Sequence, residues 1–434
     1  MPVEILEVGK VMGSPASVTV PQESDASNSL PRVLALDAAR GIAVLGMFAV
    51  HVGPPRGQPG ASWLTVFEGR SAALFAVLAG VSLALMSGGA HPATGIAARR
   101  SLIRIGSRAV LVALLGLALA QLHSGIEIMI ILTYYGLFFL LALPALRLEA
   151  RALAILAAVW AIAGPVLSFV IRSHMHQNAS GGNPIFEMFT SWSGLRQAGQ
   201  MLVLTGGYPA LTWMPFLFAG MALGRWGIRA LRPLPVIGVG ALLALLGYGG
   251  SWLVQHPLGG RAHLVNLLTA SMRQAGVTDF DPGQIIDMTG FGAVATTSWW
   301  WLTVATPHSG TPFEVFGAAG VAFLVIGVLM ALVPRAGIAL RPLIAAGSCA
   351  LSLYILQAVA VSVLVPIPDE NATAPPGGIH GPGWELLALL AIGSLVLATL
   401  WRSRFHRGPA ERLLHTITRG VTNALVRRSS LPHP

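Results

Sequence analysis

The stretch RGIAVLGMFAVH, residues 40–51, places an arginine and a histidine at the two ends of an otherwise apolar run. The run itself suits lipid. A fixed cation and a titratable ring at its ends call for a further reason, because ionisable groups in membrane segments are costly and tend to face a cavity or each other. Composition fixes the context: 54% of the 434 residues are hydrophobic and 10% charged, and the mean hydropathy is +0.70. That profile excludes an ordinary soluble domain. It predicts an all-α fold, a polytopic bundle of membrane helices.

Apolar runs long enough to cross about 30 Å of hydrocarbon fall near 33–53, 70–87, 101–122, 126–146, 150–171, 207–226, 233–254, 312–333, 341–366 and 384–401, ten predicted spans. Two connections, 172–206 and 255–311, are too long for simple turns. IFEMFTSWSGLRQAG (185–199) carries Phe186, Phe189 and Trp192, and TTSWWWLTVATPHSG (296–310) carries three tryptophans, so interfacial or re-entrant helices are expected there. A true crossing within 285–305 would reverse everything after it, against the arginine distribution.

That distribution is one-sided. Arg99, Arg100, Arg104 and Arg108 form one cluster, Arg147 and Arg151 a second, Arg225, Arg229 and Arg232 a third, and Arg335 and Arg341 a fourth. Arg32 and Arg40 precede the first span, and Arg402, Arg404, Arg407, Arg412 and Arg419 follow the last. The positive-inside rule makes this side cytoplasmic, with both termini, and puts His51 at the outer face of a multi-pass plasma-membrane (inner-membrane) protein. The formal charge of +10 is therefore a topology signal, and a nucleic-acid partner is not expected.

Residues 1–30 are polar, rich in Ser, Pro and Asn, and lack the order of a secretory signal; they are expected to form a disordered cytoplasmic tail. Residues 31–402 form the membrane domain and 403–434 a basic cytoplasmic tail. The single Cys349 lies mid-span with no disulfide partner in the chain, and its expected role is structural. No metal-ligand spacing, phosphate loop or nucleophile elbow is present, and no metal is expected.

On a helix, eleven residues from Arg40 to His51 rise about 16 Å and return within roughly 20° of the same face. Asp37 and Met47 share that face. After His51 a Pro/Gly loop leads through Trp63 to Glu68 and Arg70 at the mouth of the second span, so ionisable groups converge at the outer end. His308 and Glu314 form a second such group at the outer end of the span near 312–333. Gly41, Gly46 and Gly80 permit close helix approach, around a channel or in ordinary membrane packing.

RVLALDAARGIAVLGMFAVH (32–51) followed by GRSAALFAVLAGVSLAL (69–85) resembles the start of the transmembrane acyltransferase superfamily, which includes the acyltransferase 3 proteins and the heparan-alpha-glucosaminide N-acetyltransferase catalytic-domain proteins. In acyltransferase 3 proteins the first helix carries Arg or Lys, ten residues, then an essential His, a pattern that Arg40 and His51 match. TPHSGTPFEVFG (306–317), AAGSCALSLYILQ (345–357) and WRSRFHRGPAERLLHTITRG (401–420) resemble the C-terminal half of YeiB-like bacterial membrane proteins, whose activity is open. One departure matters. The heparan-glucosaminide enzyme's His-Ala-Ser-Trp after the first helix reads GASW here, with Gly60 in the histidine's place. Either His51 does the chemistry or this branch has lost transferase activity.

The resemblance implies transfer of an acyl group, acetyl first among candidates, from cytoplasmic acyl-CoA to a saccharide or other envelope acceptor. The donor phosphates need cations, and Arg40, Arg104 and Arg108 supply guanidiniums that match phosphate geometry. The acceptor needs a base near neutral pH, the role of His51, with Glu68 and His308 as catalytic partners. Asp37, Trp63, Arg70 and Glu314 are the candidates for substrate binding. The bilayer, the acyl-CoA, the acceptor and a second copy of the chain are the partners this reading allows. Export of a small metabolite, with His51 and Glu68 lining the pathway, is the alternative; the sequence shows no internal repeat and no matched pair of broken helices to support it.

Overall fold

The computed structural model describes residues 34–428 apart from 127, 176–180, 229, 278, 289, 366 and 368–380. The predicted N-terminal tail, Arg32 and Arg229 therefore lie outside the described residues. All regular structure among the described residues is helical. The helices are α1 (Leu34–Val52), α2 (Arg70–Met86), α3 (Gly95–Leu119), α4 (Leu132–Leu141), α5 (Ala150–Ser173), α6 (Trp192–Gln200), α7 (Ala210–Arg225), α8 (Pro233–Ala244), α9 (Gly250–Gln255), α10 (Gly260–Gln274), α11 (Pro282–Asp287), α12 (Pro312–Ala336), α13 (Arg341–Ser348), α14 (Ala350–Leu364), α15 (Trp384–Arg404) and α16 (Pro409–Arg428).

Seven helices among the described residues are long and apolar enough to span a bilayer, and two bent pairs raise the number to nine. A π-helical turn, Leu245–Gly249, joins α8 to α9, so Pro233–Gln255 forms one span. The predicted span 126–146 is shorter than expected. Its helix, α4, has 10 residues and rises only about 15 Å, half the hydrocarbon thickness. The chain before α4 is non-helical, and side chains satisfy its backbone: Ile130 N donates to Asn183 Oδ1 at 2.7 Å, Asn183 Nδ2 donates to Ile128 O at 3.0 Å, and Ile131 N donates to the Tyr354 hydroxyl at 3.3 Å. Irregular backbone at membrane depth persists only where protein supplies such partners.

The bent pairs are a second difference, since the sequence showed no matched broken helices. Trp192–Thr205 meets α7 at 57°, and α13 meets α14 at 79°. The second break leaves the first amides of α14 without helical acceptors. Glu411, from the first turn of α16, supplies them: its carboxylate accepts from Leu351 N at 2.7 Å, Ser352 N at 3.4 Å and Ser352 Oγ at 2.5 Å. The segment read as a basic tail thus contains a helix that caps another.

The long connections hold short helices. In the first, Trp192 is 83% exposed beside the exposed Phe186 and Phe189. In the second, α11 ends at Asp287 and a 3-10 turn covers Trp299–Thr303, and the described residues of 285–305 contain no helix long enough to span.

Apolar surface drives little association where lipid surrounds every helix, so small residues decide which backbones approach. Gly80 on α2 and Gly220 on α7 face each other; a Cβ on either would collide with the other helix's backbone, at Leu217 O and Val77 O. Gly41 lies against the Leu343 carbonyl of α13, and Gly46 lies under Ser71 and Phe67. These glycines pack α1 and α2 into their neighbours. Through such contacts α1 becomes central, touching α2, α12, α13, α14 and α15.

Candidate functional site

His51 lies in the last turn of α1, where Gly53, Pro54 and Pro55 stop the helix. The loop then folds back through a 3-10 turn, Ser62–Phe67, to Gly69 at φ +67. Only glycine adopts that conformation without strain. A Cβ there would also meet Pro307 at 3.1 Å and the His308 nitrogen at 3.4 Å, so the loop passes directly against the 306–311 segment.

Between α1 and this loop lies a cavity of about 230 Å³ whose lining includes His51, Pro54, Arg56, Thr65, Glu68 and Pro382. It has room for one small group rather than a whole drug-sized ligand. Glu68 is held by a two-pronged guanidinium contact: Arg56 Nε donates to Oε1 at 2.9 Å and a terminal nitrogen donates to Oε2. Such forks are the strongest hydrogen-bonded ion pairs. His51 Nδ1 lies 3.3 Å from the side-chain amide nitrogen of Gln357, a residue of α14 that is 1% exposed. Trp63 is not among the lining residues; it is exposed and stacked on Trp384 at 6.4 Å.

His308, Arg70 and Glu314 lie outside the lining residues of that cavity. His308 is 7% exposed, with its ring stacked on Trp213 at 5.6 Å and edge-on to Tyr208 at 5.3 Å. Its φ of 57 is unusual for a non-glycine residue. Glu314 holds the loop in that shape: Oε1 accepts from His308 N at 2.6 Å, and Oε2 accepts from Gly310 N at 2.6 Å. Thr311 is the N-cap of α12, its hydroxyl accepting from Glu314 N at 3.1 Å, while the Glu314 carboxylate reaches back past the cap to the loop amides. Burial, and secondarily His51, lowers the His308 pKa to about 4. Its ring is therefore neutral near pH 7, and Nδ1 has no hydrogen-bond partner among the described residues. Arg70 donates to the Tyr248 hydroxyl at 3.0 Å and to Thr65 O at 3.1 Å, within electrostatic range of Glu314.

Three turns away along α1, Arg40 donates to Asp37 Oδ1 at 2.8 Å and to Ser82 Oγ at 2.8 Å. Asp37 is fully buried. It stands at this end of α1, the opposite end from His51. Arg104 donates to the Met86 carbonyl. Arg108 shares its electrostatic surroundings with Arg40, Arg104, Arg407 and Glu411. The pKa of His415 on α16 is lowered by burial first and then by Arg407 and Arg419, which fits a cluster with surplus positive charge.

The sequence-predicted residues thus fall into two groups at opposite ends of α1. Sequence reasoning missed Gln357, Arg56, Tyr248, Trp213 and Arg407. Gln357 left a signal, because an amide inside the apolar run LSLYILQAVAV is unusual in a membrane helix.

A family described as heparan-alpha-glucosaminide N-acetyltransferase, catalytic, matches residues 32–248, half of the chain. A second, described as a protein of unknown function (DUF418), matches residues 283–421. No curated protein matches the chain. The chain belongs to the heparan-alpha-glucosaminide N-acetyltransferase catalytic-domain family.

Proposed function

We propose that this member of the family is an integral membrane acyltransferase, carrying an acyl group, acetyl first among candidates, from CoA at its arginine-rich end to a saccharide or other envelope acceptor at its histidine end. The observation that carries this reading is the pairing of a cation cluster and a histidine-lined cavity at opposite ends of one buried helix. Among the described residues, Arg108 stands in the electrostatic surroundings of Arg40, Arg104 and Arg407 together with Glu411, and Arg40 pairs with Asp37, so the arginines recorded there outnumber the carboxylates. Such a surplus suits the phosphates of a nucleotide-bearing donor. The about 16 Å between Arg40 and His51 is a gap that an extended thioester arm would have to bridge.

At the histidine end the acceptor would enter the cavity between Glu68 and His51. Its O–H or N–H proton moves to His51 as its oxygen or nitrogen bonds to the acyl carbon. The thioester C–S bond then breaks, and the imidazolium returns the proton to the departing thiolate. Arg56 holds Glu68 in place, and the neutral His308 adds no second cation beside His51. On this reading the arginine-rich end and both termini face the cytoplasm of a cell whose plasma membrane holds the protein.

The test separates donor binding from chemistry. Arg108→Ala and Arg40→Ala should weaken CoA binding ten- to hundredfold, the value of one charge-assisted phosphate bond, about 1.5–3 kcal/mol. Two variants are needed because Arg40 also holds Asp37. His51→Ala should cut transfer by about 10²–10⁴ and leave CoA binding intact. Mass spectrometry with acyl-CoA and no acceptor distinguishes the base from an acyl-carrying His51. Unchanged CoA affinity in both arginine variants, together with full transfer by His51→Ala, would overturn the proposal.

The two bent helix pairs favour one second reading, a small-metabolite exporter, because transporters build their sites at broken helices. It requires substrate flux in proteoliposomes without CoA.

A further inference from the structure

We infer that Gln357 is the positioning residue of His51, and that its side-chain amide selects which ring nitrogen carries the proton. The inference rests on the acyl-transfer reading above. An imidazole acts as a base through the nitrogen that lacks a proton, and the partner of the other nitrogen decides which one that is. The Gln357 side chain contacts Nδ1 at 3.3 Å and is almost fully buried. If the amide presents its nitrogen, it donates to Nδ1, and the ring proton sits on Nε2. If it presents its oxygen, it accepts from Nδ1–H and leaves the Nε2 lone pair to take the acceptor's proton. A half-turn of one amide therefore switches the ring between the two states. Glutamine can serve both; glutamate accepts only, and methionine does neither.

The geometry around the pair favours a fixed role. Tyr354, one turn before Gln357 on the same helix, is anchored by Ile131 N at 3.3 Å. Glu411 caps the start of that helix. α14 is thus held at both its start and its middle, and it carries the amide to His51 from 306 residues away in sequence.

The test uses the full chain in detergent, with ¹⁵N-labelled histidine and His51→Gln to assign its signal. Gln357→Met should cut turnover by about 10²-fold or more, leave CoA affinity within about twofold, and release the ring to a mixed tautomer. Gln357→Glu should hold the proton on Nδ1 and keep transfer within about tenfold of wild type. Gln357→Met with the wild-type tautomer spectrum, or Gln357→Glu as inactive as Gln357→Met, overturns the inference. If the wild type itself transfers nothing, the acyl-transfer reading fails, while the nitrogen spectra still decide whether Gln357 sets the tautomer.

A separate observation carries a second proposal: we propose that α16 docks on an anionic lipid surface. One face of α16, with Leu414, Thr418 and Thr422, is buried, and the helix packs on α3 and α14. Beside that face runs an exposed apolar ladder at four-residue spacing, Leu413, Ile417, Val421 and Leu425. The remaining flank exposes Arg412 and Arg419. Arg412 covers the ring of Phe405 at 4.8 Å, and Phe405 packs on Trp401 at 4.6 Å, so aromatic side chains suited to the interface stand alongside. An apolar stripe flanked by guanidiniums fits the boundary between acyl chains and anionic headgroups.

A nitroxide at Ile417→Cys reports the ladder and one at Thr416→Cys the polar flank, with the buried Cys349 left in place. In nanodiscs of phosphatidylcholine with phosphatidylglycerol, the label at 417 should relax with lipid-dissolved oxygen and the label at 416 with an aqueous nickel chelate. Replacing Arg412 and Arg419 with Gln should lower the lipid-facing population by about fivefold per arginine. Equal aqueous access at 416 and 417, or dipolar broadening that places two ladders together in a dimer, overturns the proposal.

Discussion

Acidification should destabilise this protein in part through His308. In the folded chain the ring titrates near 4, lowered by burial and then by His51 from its ordinary 6.5. Because the folded value lies below the unfolded one, the unfolded chain binds the proton first. Stability is therefore complete above about pH 6.5 and declines as pH falls toward 4. The gap between the two values limits the loss to about 3 kcal/mol, with about 1 kcal/mol gone by pH 5.5. Other ionisable groups surround the ring, namely His51, Glu314 and Arg70, so the measurement must be a difference. His308→Phe keeps an aromatic face for Trp213 and retains the backbone N–H that Glu314 accepts. Melting temperatures of both proteins in one detergent, followed from pH 7.5 to 4.5, should show the wild type losing stability faster, by about 2.5 kcal/mol over the range. Parallel curves would refute the assignment of a buried neutral ring to His308.

Glu411→Ala removes the cap of α14 and should cost about 1–2 kcal/mol, seen as hydrogen exchange at Leu351 and Ser352 accelerated about tenfold or more while α2 keeps its protection. Gly220→Val drives a side chain into the Val77 carbonyl and should cost at least about 1–3 kcal/mol; Gly393→Ala, with open space around it, should leave the melting temperature unchanged or slightly raised. A reporter fused after Pro434 should read cytoplasmic, and an external signal would reverse the proposed orientation.

Long apolar runs announced most of the spans, because the bilayer sets a length that a single helix must satisfy alone. The Arg40 and His51 pair was legible for the same reason: both residues lie on one helix, and helical geometry alone relates them. The approach of Glu68 to the His51 cavity was legible from a short loop, whereas Arg70 turns to Tyr248 and Thr65, outside the lining. Gln357 was not, since its contact with His51 depends on how α14 packs against α1, and no spacing in the sequence encodes that. The break at Cys349 was hidden for a different reason. A hydropathy window averages across 341–366 and registers apolar content, not direction, while the acid that makes the break tenable comes from Glu411. Likewise the run 126–146 is apolar throughout, yet its first residues are held straight by Asn183 and Tyr354, polar partners from elsewhere in the chain. Asp37 shares a face with His51, but on a helix one face extends over many turns, and Asp37 pairs with the nearer Arg40.

The Glu411 cap also bears on the order in which the chain matures. The amides of Leu351 and Ser352 await a carboxylate that follows them by 60 and 59 residues. At roughly 5–20 residues per second, a ribosome delivers Glu411 about three to twelve seconds after the start of α14 has been made. During that interval the carboxylate that completes the cap has not yet been made. The bent span reaches its final hydrogen bonding only once the C-terminal helix has folded back onto it. Chains stopped before residue 411 would keep that end open, a mark by which quality control could tell them from finished ones.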